Sequence, residues 1–97
     1  MDARTRGALL KMKRLYKPIK MIVFGSAARG DMHEGSDIDV ILIKNTERRF
    51  TDRIEDVLKL WTGDCPLDPF VYTPKEFKAK LQQSDFLQTA VSEGAEL

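Results

Sequence analysis

The chain has 97 residues, with 16 Lys and Arg against 15 Asp and Glu and a formal net charge of +1. This length predicts one domain over residues 1–97, and the balanced charge argues against a general nucleic-acid binder. A single Cys65 cannot form an internal disulfide, and no apolar run approaches the ~20 residues that span a bilayer, so we expect a cytoplasmic protein.

The N-terminal segment is predicted to form an amphipathic helix that ends at Pro18. The basic residues on its polar face are interpreted as solvated surface, with a basic patch near nucleotide or RNA as the alternative. The apolar residues at helical spacing are Ala8, Leu9, Met12, Leu15 and Tyr16.

The next segment, 19–24, is apolar along its whole length, which predicts a strand covered on both faces. The pair Gly25-Ser26 then turns the chain into a short helical piece. A polar loop over 31–35 leads to a second strand over 37–43. Because this loop reverses the chain, we expect the two strands to pair antiparallel, which places the end of the first strand beside the start of the second.

The second strand begins with Asp37 and Asp39. Because side chains alternate along a strand, we expect both carboxylates on one face, roughly 6.7 Å apart at their backbones. They repel unless a cation lies between them, and Mg²⁺ prefers oxygen ligands. Backbone N–H groups at the Gly25-Ser26 turn can bind phosphate, since glycine allows close approach. The sequence therefore predicts a metal and a phosphate in one cleft.

A crossover helix is predicted from Phe50, with Trp61 in the core and Arg53 among the charged residues outside. A crossover connection makes the third strand, 67–72, parallel to the second, which brings Asp68 near the two aspartates. Because Pro69 lacks an N–H, this strand should lie at a sheet edge or carry a bulge, and the aim of Asp68 is less fixed.

The C-terminal region is predicted to hold two helices. Thr73, Pro74 and Glu76 form a strong helix start, and a last short helix should end before Gly94. The final residues are expected to fray. His33, in the polar loop, is interpreted as solvated rather than catalytic.

The motif Gly25-Ser26, ten intervening residues and Asp37-x-Asp39 resembles the signature of the polymerase-beta-type nucleotidyltransferase superfamily. The finer match, Gly-Ser-x-Ala-Arg-Gly followed by Gly-Ser-Asp-Ile-Asp-Val, resembles its minimal single-domain branch. The resemblance covers residues 19 to about 77. It implies an α/β fold, a small mixed sheet of about three strands in the order first-second-third, backed by helices.

The resemblance also implies transfer of a nucleoside monophosphate, AMP from ATP, to an acceptor hydroxyl. Two Mg²⁺ ions would be held by the carboxylates, with Asp68 as the third ligand and the general base. Ser36 would orient the first carboxylate or touch phosphate, and Arg29 would neutralise the departing pyrophosphate. The alternative, that Asp37 and Asp39 only cap a loop and keep a strand edge soluble, is disfavoured by the accompanying turn and Asp68.

The acceptor is not identified by the residues themselves. The resemblance implies a protein partner, a HEPN-domain toxin ribonuclease for which the chain would be the antitoxin, and nucleic acid is not expected as direct substrate. Assembly with itself or with that partner stays open. The alternative of a different class is a catalytically idle nucleotide-binding subunit that masks a partner by contact.

Overall fold

A computed structural model describes residues 1–30 and 36–97 of the chain. The predicted reversing loop over 31–35, with His33, lies outside the described residues. The described elements, in chain order, are α1 (Ala3–Tyr16), β1 (Lys20–Phe24), α2 (Ser26–Arg29), β2 (Ile38–Ile43), α3 (Phe50–Leu58), β3 (Leu67–Tyr72), α4 (Pro74–Gln83), α5 (Asp85–Glu93) and β4 (Ala95–Glu96).

In this part of the chain, a mixed sheet has the strand order β3-β2-β1-β4. The β1 and β2 strands pair antiparallel, and β2 and β3 pair parallel through the α3 crossover. The predicted α/β class, the order of the first three strands and the edge position of the strand that contains Pro69 are therefore confirmed. At the edge, the missing N–H of Pro69 removes no hydrogen bond to a further strand.

The sheet is covered on both faces, as the apolar first strand predicted. Residues of β1, β2 and β3 alternate between two hydrophobic clusters, because successive side chains on a strand point to opposite faces. The α1/α3 face contains Leu9, Met12, Tyr16, Met21, Val23, Ala27, Ile38, Val40, Leu42, Val57, Leu67 and Val71. The α4/α5 face contains Ile22, Phe24, Ile41, Ile43, Leu87 and Ala90, with Phe70, Tyr72, Phe77, Leu81 and Val91 partly buried around them.

The helix ends follow the chemistry expected from their sequences. At the start of α1, Asp2 accepts a hydrogen bond from the Thr5 N–H at 2.8 Å, and the helix ends at Lys17 in a left-handed conformation before Pro18. The start of α4 is a capping box between Thr73 and Glu76, as predicted. Within residues 1–30 and 36–97, each helix is too short or too polar to cross a lipid bilayer.

The prediction that the C-terminal tail frays is wrong. Strand β4 pairs antiparallel with β1, and the Leu97 N–H donates to the Met21 carbonyl at 3.0 Å. The hydrogen bonds of this short strand satisfy backbone groups on the outer side of β1, which would otherwise be a bare sheet edge.

The placement of Arg53 outside the crossover helix is also wrong, because its side chain is buried. The guanidinium donates to both carboxylate oxygens of Glu76, at 2.7 and 3.3 Å, and to the carbonyls of Arg48 and Val71. A buried cation is tolerated when its donors are satisfied in this way. Leu15, which was assigned to the apolar face of the first helix, is instead exposed at the surface, and so are Phe50 and Leu58 of α3.

Candidate active site

The turn after β1 is a single helical turn between two glycines. Gly25 precedes α2 with φ 71° and ψ −150°, and Gly30 follows it with φ 78° and ψ 14°. The first of these conformations is accessible essentially only to glycine. The Gly30 N–H donates to the Ser26 carbonyl and closes the turn. The Gly25-Ser26 pair therefore adopts the sharp strand-to-helix turn that its sequence indicated.

Gly25 also lies directly against the Asp39 carboxylate. A β-carbon on residue 25 would come within 2.4 Å of Asp39 Oδ2. The register explains this contact, because Phe24 is the direct partner of Asp39 in the β1–β2 ladder. The turn and the carboxylate thus share one small space, as the antiparallel pairing predicted.

Asp39 and Asp68 are brought together by the parallel ladder. They are direct partners between β2 and β3, and both lie on the α4/α5 face of the sheet. Asp37 immediately precedes β2 rather than lying inside it, and its side chain is exposed. The structure therefore places all three predicted aspartates at one end of β2 and β3.

The closeness of these carboxylates changes the pKa of Asp39. Burial, with the nearby carboxylates of Asp68 and Asp37, raises the pKa of Asp39, whereas the Arg29 guanidinium opposes the shift. Each cause acts on the ionised form, which loses water and is repelled by like charge. A cation at this position would relieve that repulsion.

Arg29 connects α2 with the last helix. Its guanidinium lies 3.6 Å from Glu93 Oε2, and both side chains are about half exposed. An ion pair with this exposure holds the guanidinium weakly. Arg29 therefore lies close enough to act on Asp39 while retaining access to solvent. Glu93 was not predicted as part of this region, because only the docking of α5 brings it to α2.

Ser36 is buried, with 8% of its surface exposed, and immediately precedes Asp37.

Among residues 1–30 and 36–97, no three His, Cys, Asp or Glu side chains converge closely enough to enclose a metal ion. The donor set of Asp37, Asp39 and Asp68 consists only of oxygen atoms, and the mutual repulsion at Asp39 favours a positive partner. These residues fit a hard divalent cation in charge and in ligand type.

The structure thus brings a glycine turn and three aspartates to one end of the sheet, which is the arrangement that the sequence predicted for a phosphate and a metal. The family model described as "Nucleotidyltransferase domain" matches residues 6–93. The chain belongs to this family, and its mixed sheet is a nucleotidyltransferase-like fold.

One solved structure that the chain is similar to is a crystal structure of a candidate nucleotidyltransferase from Sulfolobus solfataricus. The two are 24% identical with a TM-score of 0.48, and the match covers 81% of this chain and 82% of the other. No curated protein matches the chain at a significant level. We base the family assignment on the family model.

Proposed function

We propose that the chain transfers AMP from ATP to a hydroxyl group of a partner protein, with Mg²⁺ as cofactor. The observation that carries this proposal is the Asp39–Asp68 pair, with Gly25 packed against one of its carboxylates. Family membership supplies the reaction class, nucleotidyl transfer. The finer terms, the nucleotide and the acceptor, are our inference.

The chain's own residues divide the work between nucleotide and acceptor. Asp37 and Asp39 would hold Mg²⁺ on the triphosphate side, and Asp68 would hold it on the acceptor side, with two ions in all. Bound Mg²⁺ neutralises phosphate charge and makes a hydroxyl easier to deprotonate. The Gly25-Ser26 turn would offer backbone N–H groups to the outer phosphates, and Ser36 would orient Asp37 or touch phosphate.

The transfer itself is a displacement at the α-phosphorus. The acceptor oxygen forms a bond to this phosphorus as the bond to the bridging oxygen breaks, and pyrophosphate leaves with the bonding electrons. Asp68 takes the proton of the acceptor hydroxyl, since it is exposed to an incoming acceptor and lies beside Asp39. Arg29 would neutralise charge on the departing pyrophosphate, and its electrostatic effect on Asp39 supports this role.

The acceptor that we propose is a tyrosine-type hydroxyl on a helical partner of the HEPN class. The support for this partner is the resemblance of the motif around Gly25 and Asp37 to the minimal nucleotidyltransferases. The chain would then be the antitoxin of a toxin–antitoxin pair and would assemble with its target.

The test is the intact mass of any protein that copurifies with the chain, measured with and without ATP and Mg²⁺. We expect a gain of one nucleoside monophosphate that requires both, with release of pyrophosphate. A chelator, or the double variant Asp37→Asn with Asp39→Asn, should abolish the gain. A partner that is neutralised equally well by the double variant, without any change in mass, would show that the chain is a masking subunit.

A further inference from the structure

Three phenylalanine rings pack together at the end of the sheet where the carboxylates lie. The ring centroids of Phe24 and Phe70 are 6.0 Å apart, and that of Phe86 is 5.7 Å from Phe24 and 6.0 Å from Phe70. Phe86 meets Phe24 edge-on, at 79°. Separations of about 4.5–7 Å with tilted planes are those of attractive aromatic pairs. We call these three residues the phenylalanine cluster.

The phenylalanine cluster lies on the same face of the sheet as the carboxylates. Phe24 is the direct partner of Asp39 across β1 and β2, and Phe70 follows Asp68 by two residues on β3. Residues two apart on a strand, and direct partners across a ladder, share a face. The cluster therefore forms an aromatic border to the candidate active site.

Phe86 is the most exposed residue of the phenylalanine cluster. It is 57% exposed, whereas Phe24 is 6% exposed and the next residue along α5, Leu87, is 2% exposed. Leu87 and Ala90 hold the helix on the sheet, so that burial of Phe86 is not what attaches α5. The ring of Phe86 is supported by two rings beneath it and faces solvent with the rest of its surface.

The position of Phe86 is fixed by the junction between α4 and α5. The Ser84 N–H donates to the Lys80 carbonyl at 2.9 Å, and Ser84 Oγ accepts from the Leu87 N–H at 3.1 Å. Gln88 Nε2 donates across the junction to the Leu81 carbonyl at 2.8 Å. These bonds hold the first turn of α5, so Phe86 needs little ordering when it binds a ligand.

We propose that the exposed ring of Phe86 stacks on the base of the nucleoside triphosphate. This inference rests on the proposed function, because it takes the phosphates to be at the Gly25-Ser26 turn and the reacting phosphorus to be at Asp39. Only the ribose separates that phosphorus from the base, so the base must lie on a surface next to the carboxylates. The phenylalanine cluster is an aromatic surface in that position. Stacking of this kind tolerates any base, because every base has a π-face.

The test compares ATP with inorganic tripolyphosphate, which lacks base and sugar, by calorimetric titration in Mg²⁺ buffer. Phe86→Ala should weaken ATP binding by about 5- to 150-fold, the range measured for loss of one aromatic stacking partner. Tripolyphosphate affinity should stay unchanged. Phe86→Trp should retain ATP binding, because indole also presents an aromatic stacking surface.

Phe50→Ala is the matched control. Phe50 is also an exposed phenylalanine in the first turn of a helix, 41% exposed, and its ring lies 5.9 Å from that of Tyr72. Tyr72 pairs with Ile43, at the far end of β2 and β3 from the aspartates. This substitution should leave the affinity for both ligands unchanged.

Asp39→Asn distinguishes a failure of the proposed function from a failure of the stacking role alone. If the wild-type chain binds neither ligand, or binds both independently of Asp39, the proposed function fails and the stacking role fails with it. If Asp39→Asn weakens both ligands but Phe86→Ala binds ATP like the wild type, only the stacking role is overturned, and the exposed ring is left for a partner protein. Equal losses of ATP and tripolyphosphate in Phe86→Ala would also overturn it, by showing a structural effect.

Discussion

Gly25 and Asp39 lie so close together that no side chain fits between them: a β-carbon at residue 25 would come within 2.4 Å of Asp39 Oδ2. Glycine is therefore required at this position for two separate reasons. Its φ of 71° with ψ of −150° excludes other residues, and its missing β-carbon leaves room for the carboxylate. The backbone turn and the carboxylate constrain each other, which links the proposed phosphate site to the proposed metal site.

Gly25→Ala should abolish nucleotidyl transfer and lower the free energy of unfolding by about 1–3 kcal/mol, the usual cost of such a backbone conformation. The methyl group displaces the carboxylate end of Asp39, which can rotate away, so the loss of activity should exceed what the stability change explains. Transfer assays and urea unfolding of the same preparation measure the two effects.

Gly30→Ala is the matched control for this substitution. Gly30 also has a positive φ, 78°, but a β-carbon there would meet no atom within 4 Å in the described part of the structure. We expect about 1–2 kcal/mol of destabilisation from the left-handed conformation, with activity retained. If the two variants lose activity equally, the contact between Gly25 and Asp39 does not matter for function.

Asp39→Asn should abolish transfer while leaving the metal-free protein as stable as the wild type or more stable. Burial and the carboxylates of Asp68 and Asp37 raise the pKa of Asp39, so ionising this side chain costs more free energy in the folded protein than in the unfolded chain. The amide has nearly the same shape and no charge. Urea unfolding without Mg²⁺ measures the stability, and added Mg²⁺ should stabilise the wild type more than the variant.

Asp56→Asn should change stability in the opposite direction. The Arg48 guanidinium donates two hydrogen bonds of 2.9 Å to Asp56, and this pairing lowers the pKa of the carboxyl group. Removing that charge should destabilise the protein slightly and leave transfer intact. A destabilised Asp39→Asn variant, or one that transfers nucleotide at the wild-type rate, would contradict the role assigned to Asp39.

The candidate site was predictable because short-range rules fix it. The alternation of a strand, the antiparallel return and the crossover rule together bring Gly25, Asp39 and Asp68 to one end of the sheet. Their proximity follows from strand order alone. Asp37 differs slightly, since β2 begins one residue later than its alternating pattern suggested.

The remaining features depend on contacts between segments far apart in sequence. Arg53 falls among the charged positions of the predicted helix, which indicated that it is exposed. Its burial depends on the ion pair with Glu76, which only the docking of α4 brings close. Strand β4 is two residues long, too short for any periodic signal, and forms because β1 offers an unpaired edge. A last short helix was predicted before Gly94, but the ring contacts of Phe86 require the final position of α5 on the sheet.

Glu76→Gln should lower the free energy of unfolding by about 1–2 kcal/mol at pH 7. The variant leaves the buried Arg53 guanidinium without its counter-charge, although the carbonyls of Arg48 and Val71 still accept from it. The loss is small because the Glu76 side chain is 44% exposed, so solvent screens its ion pair with Arg53. Urea unfolding measures the change.

The pH dependence of this loss follows from the lowered pKa of Glu76. Hydrogen bonds from Arg53 and from the Thr73 N–H hold that pKa below its usual 4.5. The pair therefore contributes its full stability above pH 4.5 and loses it as the pH falls through the lowered pKa. The difference between wild type and Glu76→Gln should shrink over that acidic range. Asp52→Asn, which breaks the ion pair with the exposed Arg49, should have a much smaller effect, and an equal effect would contradict the argument that the burial of Arg53 strengthens its ion pair.

Asp68→Asn should separate chemistry from nucleotide binding. Asp68 is exposed on the edge strand β3, and the adjacent strand already provides Asp39 beside the Gly25-Ser26 turn. Loss of the proposed general base should lower turnover by about 10²–10⁴-fold, with ATP affinity little changed. Single-turnover transfer rates and calorimetric ATP titration in the same Mg²⁺ buffer measure the two quantities.

Asp64→Asn is the matched control, because it also removes one negative charge from an exposed aspartate, which pairs with Arg4 at 3.2 Å. This substitution should change neither the transfer rate nor the ATP affinity. If Asp68→Asn loses as much ATP affinity as Asp39→Asn, Asp68 holds the metal of the nucleotide instead of serving the acceptor. If it changes neither turnover nor affinity, the carboxylate takes no part in the reaction, and the pairing of Asp39 with Asp68 across β2 and β3 has no catalytic meaning.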